Sequence, residues 1–294
     1  MVMKAYYSDN TQLLLLFILL LTLFTLVSCE SAKQKLQVSA AASMSEAVTQ
    51  LSEAYETRHP DIQVKIHTAA SGTIASQIIK GAPVDLFISA SRYHMQRVFE
   101  SGYTDWHSPI VLCTNSLVLV YSADIAQRDP FAVDDSMSKL AKLQQLRRSD
   151  IERVGMGNPD YVPAGRYAAQ LLKSEELYSQ LQDKLVFAGN VRQALAWLEA
   201  GEVDAAFLYR TDARLVPQLS SAGEWKLIDQ RSIQYPAAII RSEEHLSEER
   251  LNSKRKAAQD FLHFLQSNTA AAILKSNGFL SAGTKAEMKV GASK

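Results

Sequence analysis

The stretch LQVSAAASMSEAVTQLSEAYE, residues 36–56, passes from a short apolar run straight into a helical pattern. Leu36–Ala40 reads as a strand. From near Ser43 onward Met44, Ala47, Val48, Leu51, Ala54 and Tyr55 recur at helical spacing on one face, and the helix ends before Pro60. A strand feeding a helix in this way is the repeating unit of an α/β protein with mainly parallel strands.

The same plan continues outward. Gln63–Thr68 is a second strand, followed by a turn through Ala70-Ser71-Gly72 and a helix ending at Lys80, with Gly81 placed to accept a left-handed conformation. Leu86–Ser89 and Arg92–Glu100 form a third strand and helix. A long β-like run, Ser116–Ser122, opens a middle section from Ala123 to Ile233 with strands at Arg153–Met156, Leu185–Phe187 and Ala205–Leu208. Ala237–Ile240 reads as one more strand, and Arg250–Leu265 and Thr269–Lys275 as helices. The end, 282–294, is rich in Ser, Gly, Ala and Lys and is expected to be disordered.

Leu13–Val27 is an almost unbroken apolar run of fifteen residues behind a short polar stretch with Lys4. That is short for a membrane span and has the length of a signal-peptide core. It ends in Leu26-Val27-Ser28-Cys29, which resembles the lipobox of bacterial lipoproteins. Residues 1–28 are therefore expected to be a signal peptide, Cys29 the lipidated residue and 29–35 a linker; a plain signal peptide or a membrane anchor with an incidental Cys is the alternative. Either way the chain is expected outside the cytoplasmic membrane.

The chain carries 31 basic and 31 acidic residues, and loss of 1–28 removes one of each, Lys4 and Asp9. A neutral balance offers no basic face for nucleic acid. The six histidines, at 59, 67, 94, 107, 245 and 263, make no close-spaced ligand pair, so no cation site is expected. A Gly-x-Ser-x-Gly elbow, a Walker loop and a Gly-x-Gly-x-x-Gly turn are all absent, which leaves an enzyme reading little support. Cys113, inside the apolar run Ile110–Tyr121, is expected to be a buried inert thiol.

Four strand-to-helix junctions carry small or hydrogen-bonding residues: Ala40-Ala41-Ala42-Ser43, Ala70-Ser71-Gly72-Thr73, Val162-Pro163-Ala164-Gly165 and Gly189-Asn190-Val191. In the first, Ser43 and Glu46 have the spacing of a capping box. Each junction alone reads as an ordinary helix cap. Together they also suit an anion, because helix N-termini present unpaired N–H groups at the strand ends where α/β proteins bind ligands.

Seven blocks occur in order: VSAAASMSEA (38–47), AASGTIASQI (69–78), GAPVDLFISA (81–90), NSLVLVYS (115–122), GNPDYVPAGRYA (157–168), GNVRQALAWLEAGEVDAAFLYRTDA (189–213) and YPAAII (235–240). From about Leu36 to Phe279 the chain thereby resembles the periplasmic molybdate-binding proteins of ABC importers. The resemblance implies a type II periplasmic-binding-protein fold: two α/β lobes, 36–116 with 234–281 and 117–233, joined by two crossing segments. It implies no enzymatic activity, no cofactor, and molybdate or tungstate as ligand. The ligand positions it carries over are Ser43, Ser71, the backbone N–H groups of Ala164 and Val191, and the Tyr209 hydroxyl, with the N–H groups of Met44, Gly72 and Gly165 as helpers. Molybdenum would be bound only as the oxyanion. A membrane permease is the implied partner, and the protein is expected to be a lipid-anchored monomer on the periplasmic face.

Two departures stand out. Ala-Ser-Gly-Thr replaces a run of serines at the second junction and is expected only to loosen that turn. Arg210 follows Tyr209 where a small residue is usual; it either adds positive potential to the cleft or points to solvent, and solvent is the expectation. A receptor for sulfate or another tetrahedral oxyanion, and an anion-sensing signalling protein, remain open on the same scaffold.

Overall fold

The computed structural model describes residues 33–104, 109–128, 138–217, 219–225, 233–241 and 247–282. The expected signal peptide 1–28, Cys29 and the tail from 283 lie outside the described residues. Strand β1 (Gln34–Ala41) starts two residues before Leu36 and leads through a 3-10 turn, Ala42–Met44, into α1 (Ser45–Glu56). Next come β2 (Ile62–Ala69), α2 (Ser71–Ile79), β3 (Leu86–Ile88), α3 (Arg92–Glu100) and β4 (Ile110–Asn115).

A second run of elements follows: β5 (Leu117–Tyr121), α4 (Ala123–Arg128), α5 (Lys139–Gln144), β6 (Val154–Gly157), α6 (Pro163–Ser174), β7 (Leu185–Ala188), α7 (Val191–Glu199), β8 (Ala205–Tyr209), α8 (Arg210–Ala213) and β9 (Ser220–Trp225). The chain then supplies β10 (Ile233–Ile239), α9 (Glu248–Phe264), α10 (Asn268–Ser276) and β11 (Leu280–Ser281).

Among the described residues the strands form two sheets, ordered β11-β4-β10-β3-β1-β2 and β7-β6-β8-β5-β9. Both are mixed. Parallel pairs, β1 with β3 and β6 with β7 and β8, form the centre expected from the strand–helix repeat. Antiparallel strands extend them: β10 lies between β3 and β4, and β5 lies between β8 and β9. The apolar run 110–121 is divided at Ser116, because β4 pairs in the first sheet and β5 in the second. Sequence periodicity alone does not say that the two halves join different sheets.

Helices cover both faces of the first sheet. On one side Leu36, Val38, Val48, Leu51, Tyr55, Phe261 and Leu274 belong to the main core, and on the other Ile74, Ile78, Phe87, Met95 and Val98 form a smaller one. Each such buried side chain contributes roughly 1.5–3 kcal/mol. Pro163 occupies the first turn of α6, where its missing N–H costs no intrahelical bond. Close by, a Cβ on Gly165 would stand 1.7 Å from the Gly157 carbonyl oxygen, so only glycine lets this helix start lie directly on β6. No helix among the described residues is long and apolar enough to cross a membrane.

Candidate functional site

The four junctions converge. Ser43, Ser71, Ala164, Val191 and Tyr209 all line one cavity of about 10 Å³, together with neighbours that include Ala42, Ala70, Ala90, Pro163 and Asn190. All five residues are buried. No carboxylate and no basic side chain is among the lining residues.

Several polar groups around this space can donate into it. The Ala164 and Val191 N–H groups lie in the first turns of α6 and α7, where no carbonyl one turn back is available. Both helices point their positive dipole ends at the cavity. Asn190 caps α7, its side chain accepting from the Gln193 N–H at 3.0 Å, so that amide serves the helix. Ser71 Oγ accepts the Ala90 N–H at 2.9 Å, which fixes the oxygen and leaves its hydrogen free. The buried Tyr209 hydroxyl has no partner, and burial raises its pKa well above the ordinary value, so it stays protonated.

Ser43 departs from expectation. It sits inside the 3-10 turn and makes no cap; Met44 occupies the N-cap of α1 without a side-chain bond. Its hydroxyl instead meets the Tyr235 hydroxyl at 2.9 Å, and Tyr235 also takes a bond from Asn115 Nδ2 at 3.2 Å. The capping-box reading fails because the extra 3-10 turn carries Ser43 one residue too early to reach the α1 N–H groups. Tyr235 and Asn115 were not singled out from the sequence. Their signal was an amide closing β4 and a phenol inside β10.

Glu46 is drawn elsewhere. Arg192 on α7 donates to it from Nη1 at 3.0 Å, across the cleft between the two sheets. The Arg192 Nε also lies 2.8 Å from the carboxylate of Asp212, an ion pair without hydrogen-bond alignment. Asp212 is fully buried, and that burial drives its carboxyl up to about 7 against the downward pull of Arg192. Asp212 was not singled out from the sequence.

Further contacts hold the lobes together. The Gly72 N–H donates to the Tyr161 carbonyl at 3.0 Å, which removes it from the expected helper donors. A Cβ there would lie 2.5 Å from that oxygen, so the glycine tightens the approach instead of loosening the turn. Arg166 stacks over the Tyr93 ring at 3.7 Å, and the Tyr167 hydroxyl donates to the Ala90 carbonyl at 3.3 Å. Arg210 goes neither to the cleft nor to solvent: its Nη2 donates to the Gly278 carbonyl at 2.6 Å, closing the end of α10. Cys113 is buried and free, with its pKa raised by burial. Among the described residues no cluster of His, Cys, Asp or Glu could hold a metal cation.

A cleft between two sheets, bounded by helix N-termini and closed by contacts from both sides, is the architecture of a ligand-trapping protein. The family model of the bacterial extracellular solute-binding proteins matches residues 36–280. The chain belongs to that family. It is 31% identical over 249 residues to the molybdate-binding protein ModA of Haemophilus influenzae, covering 85% of this chain and 91% of the relative. ModA of Escherichia coli is 31% identical over 245 residues, covering 83% and 88%. The solved substrate-binding domain of a candidate molybdenum ABC transporter from Clostridium difficile superposes with a TM-score of 0.60 at 30% identity, covering 85% of this chain and all of that one. The five residues expected from the sequence stand together at the cavity between the two sheets.

Proposed function

We propose that this protein captures molybdate, and tungstate with it, in the interlobe cleft and delivers the anion to the membrane permease of an ABC importer. The observation that carries the reading is a cavity of about 10 Å³ lined by Ser43, Ser71, Ala164, Val191 and Tyr209 with no carboxylate or basic side chain. Hydroxyls and helix N-termini converging on one small space suit a compact anion. Neutral donors in a dry site make charge-assisted bonds, each contributing on the order of 1.5–3 kcal/mol. Two of the relatives are named for molybdate binding, which supports the same ligand here.

Lobe I comprises 36–116 and 234–281 and lobe II 117–233 in this reading. The anion prefers the closed arrangement because it gains donors from both lobes only there. The protein acts by binding alone, as a monomer, without cofactor or catalytic residue, and is tethered to the periplasmic face by a lipid on Cys29.

Isothermal titration of the protein from residue 30 onward, stripped of ligand, tests the reading with molybdate, tungstate, sulfate and phosphate. Submicromolar molybdate and tungstate binding with the other two silent is the expected result. Tight sulfate binding would make the protein a sulfate receptor, and silence from all four would remove the oxyanion altogether.

A further inference from the structure

Asn115 at the end of β4, Tyr235 in β10 and Ser43 in the 3-10 turn are all buried and meet behind the cavity wall. The direction of each hydrogen bond follows by elimination. The Ser116 N–H donates to Asn115 Oδ1 at 2.9 Å, so the amide turns Nδ2 toward Thr211 at 2.9 Å and Tyr235 at 3.2 Å. An amide nitrogen only donates, so the phenol oxygen accepts from it. The phenol hydrogen is then left for Ser43 Oγ at 2.9 Å. Ser43 thus takes a hydrogen from the protein, and its own hydrogen has the cavity as its outlet.

We infer that Asn115 and Tyr235 are positioning residues that set anion specificity: by handing a hydrogen to Ser43 they make it a donor, so the site takes a fully deprotonated oxyanion and refuses one that carries a proton. This rests on the oxyanion reading of the cavity. Molybdate presents only acceptor oxygens. Hydrogen phosphate brings an O–H that must find an acceptor, and Ser43 is a poorer one once the Tyr235 hydrogen takes one of its lone pairs and its own hydrogen turns to the anion. A chain of such bonds also polarises its members in one direction, strengthening the final donor.

Tyr235→Phe tests the relay. The ring keeps its edge contacts with Phe279 at 5.2 Å and Tyr209 at 6.1 Å, while Ser43 Oγ is released to accept. Asn115→Asp is a second route, since an acceptor in place of the amide nitrogen draws the phenol hydrogen away from Ser43. Wild type, both variants, Ser43→Ala and Ser43→Ala with Tyr235→Phe would be titrated with molybdate and inorganic phosphate, below and above the second ionisation of phosphate, with thermal melting to establish folding.

Tyr235→Phe should weaken molybdate about tenfold. It should also narrow the molybdate-to-phosphate preference by at least about tenfold, most below that ionisation, where the anion carries two hydrogens. In the Ser43→Ala background the same change should add little, because the residue acts through Ser43. Proportional loss of both anions, or additive effects in the double variant, would overturn the relay while leaving the oxyanion reading intact. A wild-type protein that binds neither anion would overturn both. Should Tyr235→Phe fail to fold, a preference in Asn115→Asp unchanged from wild type would overturn the relay.

Discussion

Arg192 Nη1 donates to Glu46 across the interlobe cleft at 3.0 Å, while the same guanidinium faces the buried Asp212. One cation therefore serves a half-exposed acid on the far lobe and an enclosed acid on its own. The two halves of this arrangement differ in worth, because solvent screens the first and not the second.

Removing the outer half should be mild. Glu46→Gln is expected to cost under about 1 kcal/mol of closure, seen as a several-fold faster release of ligand in stopped flow with an unchanged melting temperature. Arg192→Gln leaves Asp212 without its cation and should cost about 3 kcal/mol above pH 7. That loss should shrink as pH falls and the carboxyl, already raised to about 7 by burial, takes up its proton. Equal losses at high and low pH would show that charge is not the cause.

Ser71→Ala and Tyr209→Phe each delete a hydrogen aimed at the cavity. Each should weaken molybdate about ten- to a hundredfold by titration, with circular dichroism unchanged. Unchanged affinity in both would take these residues out of the site.

The fold was legible where periodicity is strong. The buried face of α1, and the parallel strands at the centre of both sheets, follow from spacing alone. Spacing alone does not divide 110–121, and the boundary at 116/117 came from the resemblance, because sheet membership depends on partners far along the chain, β10 for one half and β8 for the other. At the site, the hydroxyls and helix starts were readable as residue types. What Ser43, Glu46 and Arg210 touch was not, because Tyr235, Arg192 and Gly278 lie 192, 146 and 68 residues away in sequence.

His94 makes stability sensitive to acid. Burial first, then Arg97 and Arg166, lower its pKa from 6.5 to about 4, and neither ring nitrogen has a partner. The unfolded chain binds this proton more readily than the folded one, so stability rises with pH across that window and is lost as pH falls from 6.5 toward 4. The loss should be on the order of 2–3 kcal/mol. His94→Gln should flatten that part of the curve in urea melts at several pH values.

Two glycines separate closure from folding. Gly165→Ala drives a methyl into the Gly157 carbonyl within one lobe and should cost about 3 kcal/mol or more, read as a lower urea midpoint. Gly72→Ala meets the Tyr161 backbone across the cleft and the buried His94 ring. It should hold the lobes apart, lowering affinity far more than the melting temperature. A stability loss matching that of Gly165→Ala would contradict this.

The place of β10 between β3 and β4 has a consequence for how the molecule comes into being. As the chain emerges, β5 to β9 are complete by residue 225, so the second sheet can assemble at once. The first sheet must wait with a gap at its centre until residues 233–239 arrive and bridge strands made more than a hundred residues earlier. Long-range pairing of this kind is slow and leaves strand edges exposed meanwhile. The half of the cleft that carries Ser43 and Ser71 is thus born last, although its sequence is written first.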